Sequence, residues 1–135
     1  MQKKVKCLIT IILSLLVIFS LTVAVSAIEP RFSETNSIKV ILGFNGTTAD
    51  CSVKIYGVDG TQSIDNVNIT LKDSKGNVKG EWTNLSTNGD YYSFSKSVSN
   101  LTKGEAYTLT ASGNINGKTK TEYVKDSHTE TCPSK

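Results

Sequence analysis

The sequence predicts an exported, all-β protein in which seven short strands form a two-sheet sandwich. Two features of the 135-residue chain support this prediction. An apolar N-terminal segment ends in small residues, and a period-two alternation of apolar and polar residues recurs along the rest of the chain. No segment after residue 27 has the apolar stripe of a helix. A closed barrel is the alternative architecture, because its strands alternate in the same way.

The first 27 residues have the three parts of a secretory signal peptide. Three lysines precede an apolar run over residues 8–25, and Val25-Ser26-Ala27 has small residues at both positions that signal peptidase reads. The alternative is an uncleaved membrane anchor, because the run approaches the roughly 17–25 residues that span a bilayer. We expect cleavage after Ala27 and a secreted, extracellular protein, because the segment that follows is polar and contains Pro30.

Cleavage changes the charge of the chain. Three of the 15 Lys and Arg residues lie within residues 1–27, whereas all 12 Asp and Glu residues follow them, so the mature chain has no formal net charge. A nucleic-acid-binding protein is expected to have a basic patch, which this sequence lacks. No second apolar segment follows the signal peptide. We therefore expect neither a nucleic-acid partner nor, after cleavage, a membrane-bound protein.

Two cysteines remain after cleavage, Cys51 and Cys132, and a pair of cysteines in an exported chain predicts one disulfide. A reactive or metal-binding pair is the alternative, but these cysteines lack CxxC spacing and Cys51 has no histidine near it. The bridge would attach a polar tail to the sheet. The predicted organisation is a lead-in at 28–36, a sandwich domain at 37–125 and a disulfide-pinned tail at 126–135.

Alternation and turn residues predict where the strands lie. The predicted strands are 37–44, 51–56, 67–72, 78–85, 92–98, 107–115 and 118–124. Residues 73–77, Asp-Ser-Lys-Gly-Asn, have turn chemistry, and Asn116-Gly117 predicts a two-residue hairpin. Residues 57–66 form the longest predicted loop. The last strand is polar, as suits a sheet edge; it could accept a partner strand, although its lysines oppose edge pairing.

Two stretches of the chain resemble known families. Residues 101–110, Leu-Thr-Lys-Gly-Glu-Ala-Tyr-Thr-Leu-Thr, resemble the LxPGxxYxVxV segment of fibronectin type III domains. The resemblance implies that Tyr107 forms a tyrosine corner, in which its hydroxyl caps the preceding turn. Residues 67–109 look like prealbumin-like and collagen-adhesin B-type modules, and the whole chain resembles small secreted Ig-like proteins of Firmicute bacteria. Together they imply a single seven-stranded antiparallel Greek-key sandwich, Ig-like or fibronectin III-like.

Few residues could support catalysis. The single histidine, His128, lies in the predicted tail, where it is a poor base for Ser-His-Asp or Cys-His chemistry. Glu81 and Asp90 are the least implausible carboxylate pair for a glycosidase. Residues 73–77 only superficially resemble a calcium loop. We therefore predict a protein that is not an enzyme and has no cofactor or metal site.

Aromatic side chains are the best candidates for ligand binding. Trp82, Tyr91, Tyr123 and Tyr56 lie on predicted strands, and exposed rings there could stack on sugars or anchor a protein interface. The alternatives are a core position for Trp82 and unspecialised exposed positions for the tyrosines. The sequence thus predicts a non-catalytic binding, interaction or adhesion module whose ligand is a carbohydrate or a surface protein. A structural subunit of a surface assembly and a small carbohydrate-active enzyme are the other hypotheses.

Overall fold

The computed structural model describes residues 35–135, which form seven β-strands and no helix. The all-β class predicted from the alternation is confirmed for this range. Residues 35–135 include no helix that is long and apolar enough to cross a membrane. The predicted signal peptide, residues 1–27, and most of the predicted lead-in, residues 28–36, lie outside the described residues.

Every strand pairs antiparallel with its neighbours, and the strands divide between two sheets. One sheet has three strands in the order β1-β2-β5, and the other has four in the order β4-β3-β6-β7. The strands are β1 (Ser37–Asn45), β2 (Thr48–Tyr56), β3 (Ser63–Asp73), β4 (Val78–Asn88), β5 (Tyr91–Val98), β6 (Ala106–Asn116) and β7 (Thr121–Thr131).

The core lies between the two sheets, because one side of each central strand is apolar. In β6 every second residue from Tyr107 to Ile115 is buried, and β2 and β3 alternate in nearly the same way. Side chains in a strand point alternately to opposite faces, so the remaining residues form the outer faces of the sandwich. The largest fully buried side chains are Tyr107, Ile55, Ile64, Ile69, Leu71, Leu109, Ile115, Val53 and Val67.

The turn between β3 and β4 is organised by the Asp73 carboxylate. One of its oxygens accepts hydrogen bonds from the backbone N–H groups of Lys75 and Asn77, both at 2.9 Å, and the other accepts one from the Asn77 side-chain amide at 2.9 Å. The Lys79 ammonium lies 3.4 Å away. The Asn77 side-chain hydrogen bond is the main cause that lowers the Asp73 pKa to about 2. This carboxylate therefore holds the turn.

Most strands are longer than predicted, and β3 and β7 differ most from their predicted lengths. β3 begins at Ser63, so the loop after β2 ends at residue 62 instead of 66. Asn66 is accommodated in the strand at a bulge, where it adopts a φ of 48°. β7 continues to Thr131, so most of the predicted tail at 126–135 is a strand that pairs with β6. Residues 126–131 are polar, so apolar alternation could not predict this extension, because backbone hydrogen bonds between strands require no apolar side chains.

The hairpin between β6 and β7 also differs from the prediction. Asn116 pairs with Thr121, so four residues connect the strands instead of the predicted two. The loop is closed by a hydrogen bond from the Gly117 N–H to the Lys120 carbonyl, at 2.8 Å. The last strand therefore starts at Thr121 and not at Lys118.

The predicted Cys51–Cys132 disulfide is absent from the structure, where both thiols are free and buried. The Cys132 Sγ lies 3.6 Å from the Gly46 carbonyl in the turn between β1 and β2. Cys51 lies on β2 opposite Leu42, three residue pairs from the last pair of that hairpin. This separates Cys51 from the turn by about 10 Å along the strand. The two cysteines lie on different elements, since Cys51 is within β2 and Cys132 follows the end of β7.

Candidate functional site

The outer face of the three-stranded sheet brings together residues that are far apart in the sequence. Tyr56 pairs with Ser37 on β1 and with Tyr91 on β5. In the next row Lys54 pairs with Lys39 and with Ser93. We call these five residues the tyrosine–lysine patch: Lys39, Lys54, Tyr56, Tyr91 and Ser93. Two further rows complete the face, Ile41-Ser52-Ser95 and Gly43-Asp50-Ser97.

The two tyrosines of this patch form one aromatic surface. The ring centroids of Tyr56 and Tyr91 are 5.2 Å apart, and the rings are inclined at 41°. The two residues are 38% and 44% exposed, so each ring is supported by the other and still open to solvent. A pair of supported, half-exposed rings is suited to stack against a flat ligand without first becoming ordered.

The two lysines of the patch lie side by side on neighbouring strands. Lys39 and Lys54 are direct cross-strand partners, which places their Cβ atoms about 5 Å apart. Within residues 35–135 the ion pairs involve Lys79, Lys120 and His128, and neither patch lysine forms one. The acid of this face, Asp50, is two rows away and accepts a hydrogen bond from Ser97 at 2.7 Å.

Trp82 is placed differently from the tyrosines. Its ring lies 5.0 Å from that of Phe94 in an edge-to-face arrangement, and the half-buried side chain packs against the core between β4 and β5. A Cβ at Gly80 would come within 2.7 Å of the Trp82 ring, so this glycine leaves room for it. Of the two possibilities that the sequence left open for Trp82, the structure favours packing at the margin of the core.

Tyr123 lies on the other sheet, and within residues 35–135 no aromatic ring is paired with it. It is 63% exposed on β7, opposite Asn114 of β6. The structure therefore brings together two of the four predicted aromatic residues, Tyr56 and Tyr91, and separates Trp82 and Tyr123 from them.

A cavity of about 460 Å³ lies at the same end of the sandwich as the paired tyrosines. Its wall includes the loop after β2 and the hairpin between β6 and β7. Asn36 bridges them, since it accepts a hydrogen bond from the Val58 N–H at 2.9 Å and donates one to Glu122 at 2.8 Å. The Lys120 ammonium is 4.0 Å from the Glu122 carboxylate. Asp59 and Lys118 also line this cavity.

The predicted catalytic candidates do not form a site. Glu81 lies on β4, and Asp90 lies beyond the end of the same strand; the strand from Glu81 to Asn88 alone spans about 23 Å. Glycosidase carboxylates are about 5–9.5 Å apart, so these two cannot act as a pair. Among the described residues, 35–135, no three His, Cys, Asp or Glu side chains are placed to hold a metal ion.

His128 is part of the fold and does not lie in a tail. It belongs to β7, where its Nδ1 accepts a hydrogen bond from the Leu42 N–H of β1 at 3.1 Å. Its Nε2 is 3.9 Å from a carboxylate oxygen of Glu130. The imidazole therefore joins the neighbouring edges of the two sheets.

The Tyr107 hydroxyl lies where the resemblance to fibronectin type III domains places it. Its ring is fully buried, and its hydroxyl accepts a hydrogen bond from the Thr102 N–H at 2.8 Å. The ring also packs 5.8 Å from that of Phe44. This contact fixes the turn before β6 and contributes to the scaffold, away from the tyrosine–lysine patch.

Sequence reasoning missed the pairing of Lys39 with Lys54, although the signal for it is present. Residues 45–48, Asn-Gly-Thr-Thr, form the tight turn between β1 and β2, and Gly46 has a φ of 60°. Glycine at the first central position is typical of a two-residue type II′ hairpin. Recognising this turn would have fixed the register of β1 on β2 and placed the lysines opposite each other.

Comparisons with known proteins do not identify a family. No family model matches the chain, and no curated protein sequence matches it. The crystal structure of a putative beta-galactosidase from Bacteroides fragilis is similar over 67% of this chain and 15% of that one, with 14% identity and a TM-score of 0.44. This chain thus corresponds to a small part of that protein, and so distant a likeness supports no conclusion about activity.

Proposed function

We propose that this protein is a secreted, non-catalytic glycan-binding module that holds its ligand on the outer face of the three-stranded sheet. The observation that carries the proposal is the pair formed by Tyr56 and Tyr91, whose rings are in contact with each other and half-exposed. Exposed aromatic rings offer a flat apolar surface, and the hydroxyl of Ser93 beside them offers a hydrogen-bonding partner.

The sheet face is a better binding surface than the sheet edges. On the edge strand β5, Lys96 is paired with buried Cys51 and so lies on the inward side of the strand. On β7, Glu122, Asp126 and Glu130 share the inward side with buried Val124. Inward-pointing charges on edge strands oppose the addition of another strand. This pattern argues against β-augmentation and leaves the faces for binding.

A glycan fits this face better than a protein partner does. Stable protein interfaces bury about 800 Å² on each side around an apolar centre. Within residues 35–135 the exposed large apolar side chains on this face are Tyr56, Tyr91 and Ile41, surrounded by serines and lysines. So small an apolar area suits a sugar chain, whose rings stack and whose hydroxyl groups form hydrogen bonds.

The fold and the export of the module are part of the same proposal. The orders β1-β2-β5 and β4-β3-β6-β7 resemble an Ig-like Greek-key sandwich in which the fourth strand joins the second sheet. The hydrogen bond from Thr102 to Tyr107 supports a tyrosine corner of the fibronectin III-like type. The signal peptide predicted over residues 1–27 supports secretion, and intact mass of protein from the culture medium would test cleavage after Ala27.

Binding to a panel of polysaccharides, with Tyr56→Ala and Tyr91→Ala variants, tests the proposal. We expect each variant to lower affinity for the bound polysaccharide about tenfold, because stacking on one ring contributes on the order of 1 kcal/mol or more. Isothermal titration calorimetry or affinity electrophoresis measures the loss. Circular dichroism establishes that each variant is folded.

Tyr123→Ala is the matched control, since it removes an exposed tyrosine from the opposite sheet. We expect it to bind like the parent protein. Equal affinities of the parent, Tyr56→Ala and Tyr91→Ala would refute the proposed face. Saturable binding to a protein in place of every polysaccharide would replace the glycan with a protein partner.

A further inference from the structure

We infer that the glycan bound by this module is anionic, and that Lys39 and Lys54 together hold its carboxylate or sulfate groups. The inference rests on the proposed function and specifies its ligand. It comes from a different observation than the tyrosine pair, namely two lysines in register on an exposed sheet face without a carboxylate partner within residues 35–135.

Two like charges directly opposite each other destabilise a β-sheet. Two other lysines within residues 35–135 have an acidic partner: Lys79 lies 3.4 Å from Asp73, and Lys120 lies 4.0 Å from Glu122. Within residues 35–135 neither Lys39 nor Lys54 has a carboxylate partner, and Asp50 on the same face accepts a hydrogen bond from Ser97. An anion placed between the two ammonium groups would relieve their repulsion.

The spacing of the patch matches a charged sugar. Lys54 and Tyr56 are two residues apart on β2 and face the same side, so their rows are separated by about 7 Å. A uronic acid bears its carboxylate directly on the ring, and a sulfated sugar bears its sulfate one oxygen further out. A ring stacked on Tyr56 or Tyr91 would therefore present its oxyanion to the lysine row. Each ammonium has three donors for such a group.

The ligand class is thus an acidic polysaccharide, and two matched pairs of probes separate its possible sources. Polygalacturonate and its methyl ester share one backbone and differ in the carboxylate charge. Dextran sulfate and dextran differ in the sulfate. We expect the purified protein to bind the charged member of at least one pair about tenfold more tightly, and this preference to shrink in 1 M NaCl, where the screening length is about 3 Å.

The Lys39→Gln/Lys54→Gln double variant tests which residues give the preference. We expect it to bind charged and neutral members of a pair alike, because it keeps the stacking tyrosines and loses both ammonium groups. Lys72→Gln/Lys125→Gln is the control, because it removes the same charge from the outer face of the four-stranded sheet, where these lysines lie in different rows. We expect this control to keep the preference.

The outcomes separate this inference from the proposed function. Equal affinity of the parent protein for charged and neutral polysaccharides, with losses in Tyr56→Ala and Tyr91→Ala, overturns the anionic ligand and supports the module. An equal loss of preference in both lysine double variants overturns the inference, since attraction would then follow net charge alone. Unchanged binding in the tyrosine variants overturns the proposed face, and the inference with it.

Discussion

The two outer faces of this sandwich differ in how many of their side chains bond to one another, although Asp50 and Ser97 also form such a bond on the three-stranded face. On the four-stranded sheet, side chains bond to one another: the Asn116 amide donates to Asp65 at 2.7 Å and to Ser63 at 3.1 Å, and the hydroxyls of Thr108 and Thr129 are 2.8 Å apart. On the three-stranded sheet, the lysines of the tyrosine–lysine patch have no ion-pair partner among residues 35–135. Side-chain hydrogen bonds on the four-stranded face stabilise the fold, whereas the patch lysines on the three-stranded face are available to the proposed ligand.

The buried scaffold shared by both faces should show the largest effect on stability. Tyr107→Phe removes the acceptor of the Thr102 N–H, and an unsatisfied buried group costs about 1–3 kcal/mol. We expect the free energy of unfolding in urea to fall by that amount while the folded variant keeps its affinity for the glycan. Tyr92→Phe is the control, because the Tyr92 hydroxyl forms no hydrogen bond within residues 35–135. A Tyr107→Phe variant as stable as the parent would contradict the assigned role.

Replacing one side chain on each face with alanine tests the comparison between the faces directly. Asn116→Ala removes hydrogen bonds to Ser63, Asp65 and Thr121, and we expect a loss of about 1–2 kcal/mol of stability, because each bond contributes about 0.5–1.5 kcal/mol. Tyr91→Ala should cost less than about 1 kcal/mol, since it removes one exposed cross-strand pair.

The order of the two variants should reverse for glycan affinity. We expect Tyr91→Ala to bind weakly and Asn116→Ala to bind like the parent protein. Chemical unfolding and calorimetry of the same two variants provide both readings. If Asn116→Ala also lost affinity for the glycan, the assignment of ligand binding to the three-stranded face alone would be wrong.

The smallest expected effect concerns the two buried cysteine thiols. Cys51 is 1% exposed, and its burial, together with the charge of Asp50, raises its pKa to about 11. We therefore expect negligible alkylation of Cys51 at pH 8 in the native state, and two alkylated thiols after unfolding without reductant. Intact mass spectrometry counts them. No alkylation after unfolding would restore the predicted Cys51–Cys132 disulfide.

The raised pKa also has a consequence for stability. A thiol whose folded pKa exceeds its unfolded value contributes stability that is present below the unfolded pKa and is lost as the pH rises toward about 11. Stability of the parent should therefore fall above about pH 9, and Cys51→Ser should show a smaller decline over that range.

Local patterns in the sequence determined the strand count, the inward and outward faces and the turn at Asp73. Each of these depends on residues within a few positions of one another, so alternation and turn chemistry are sufficient. The fully alternating burial of β6 is the clearest case. The family resemblance pointed to Tyr107, whose hydroxyl acts only five residues away, on Thr102.

Pairing between distant segments decided the rest. Tyr56 meets Tyr91 because β2 and β5 are neighbours, and no local pattern reveals which strands pair or in what register. The same reason explains why Trp82 packs against Phe94. The sequence by itself determined which side of each strand faces solvent. The tertiary structure decided which exposed residues share one surface, because register between strands is set by packing across the whole sandwich.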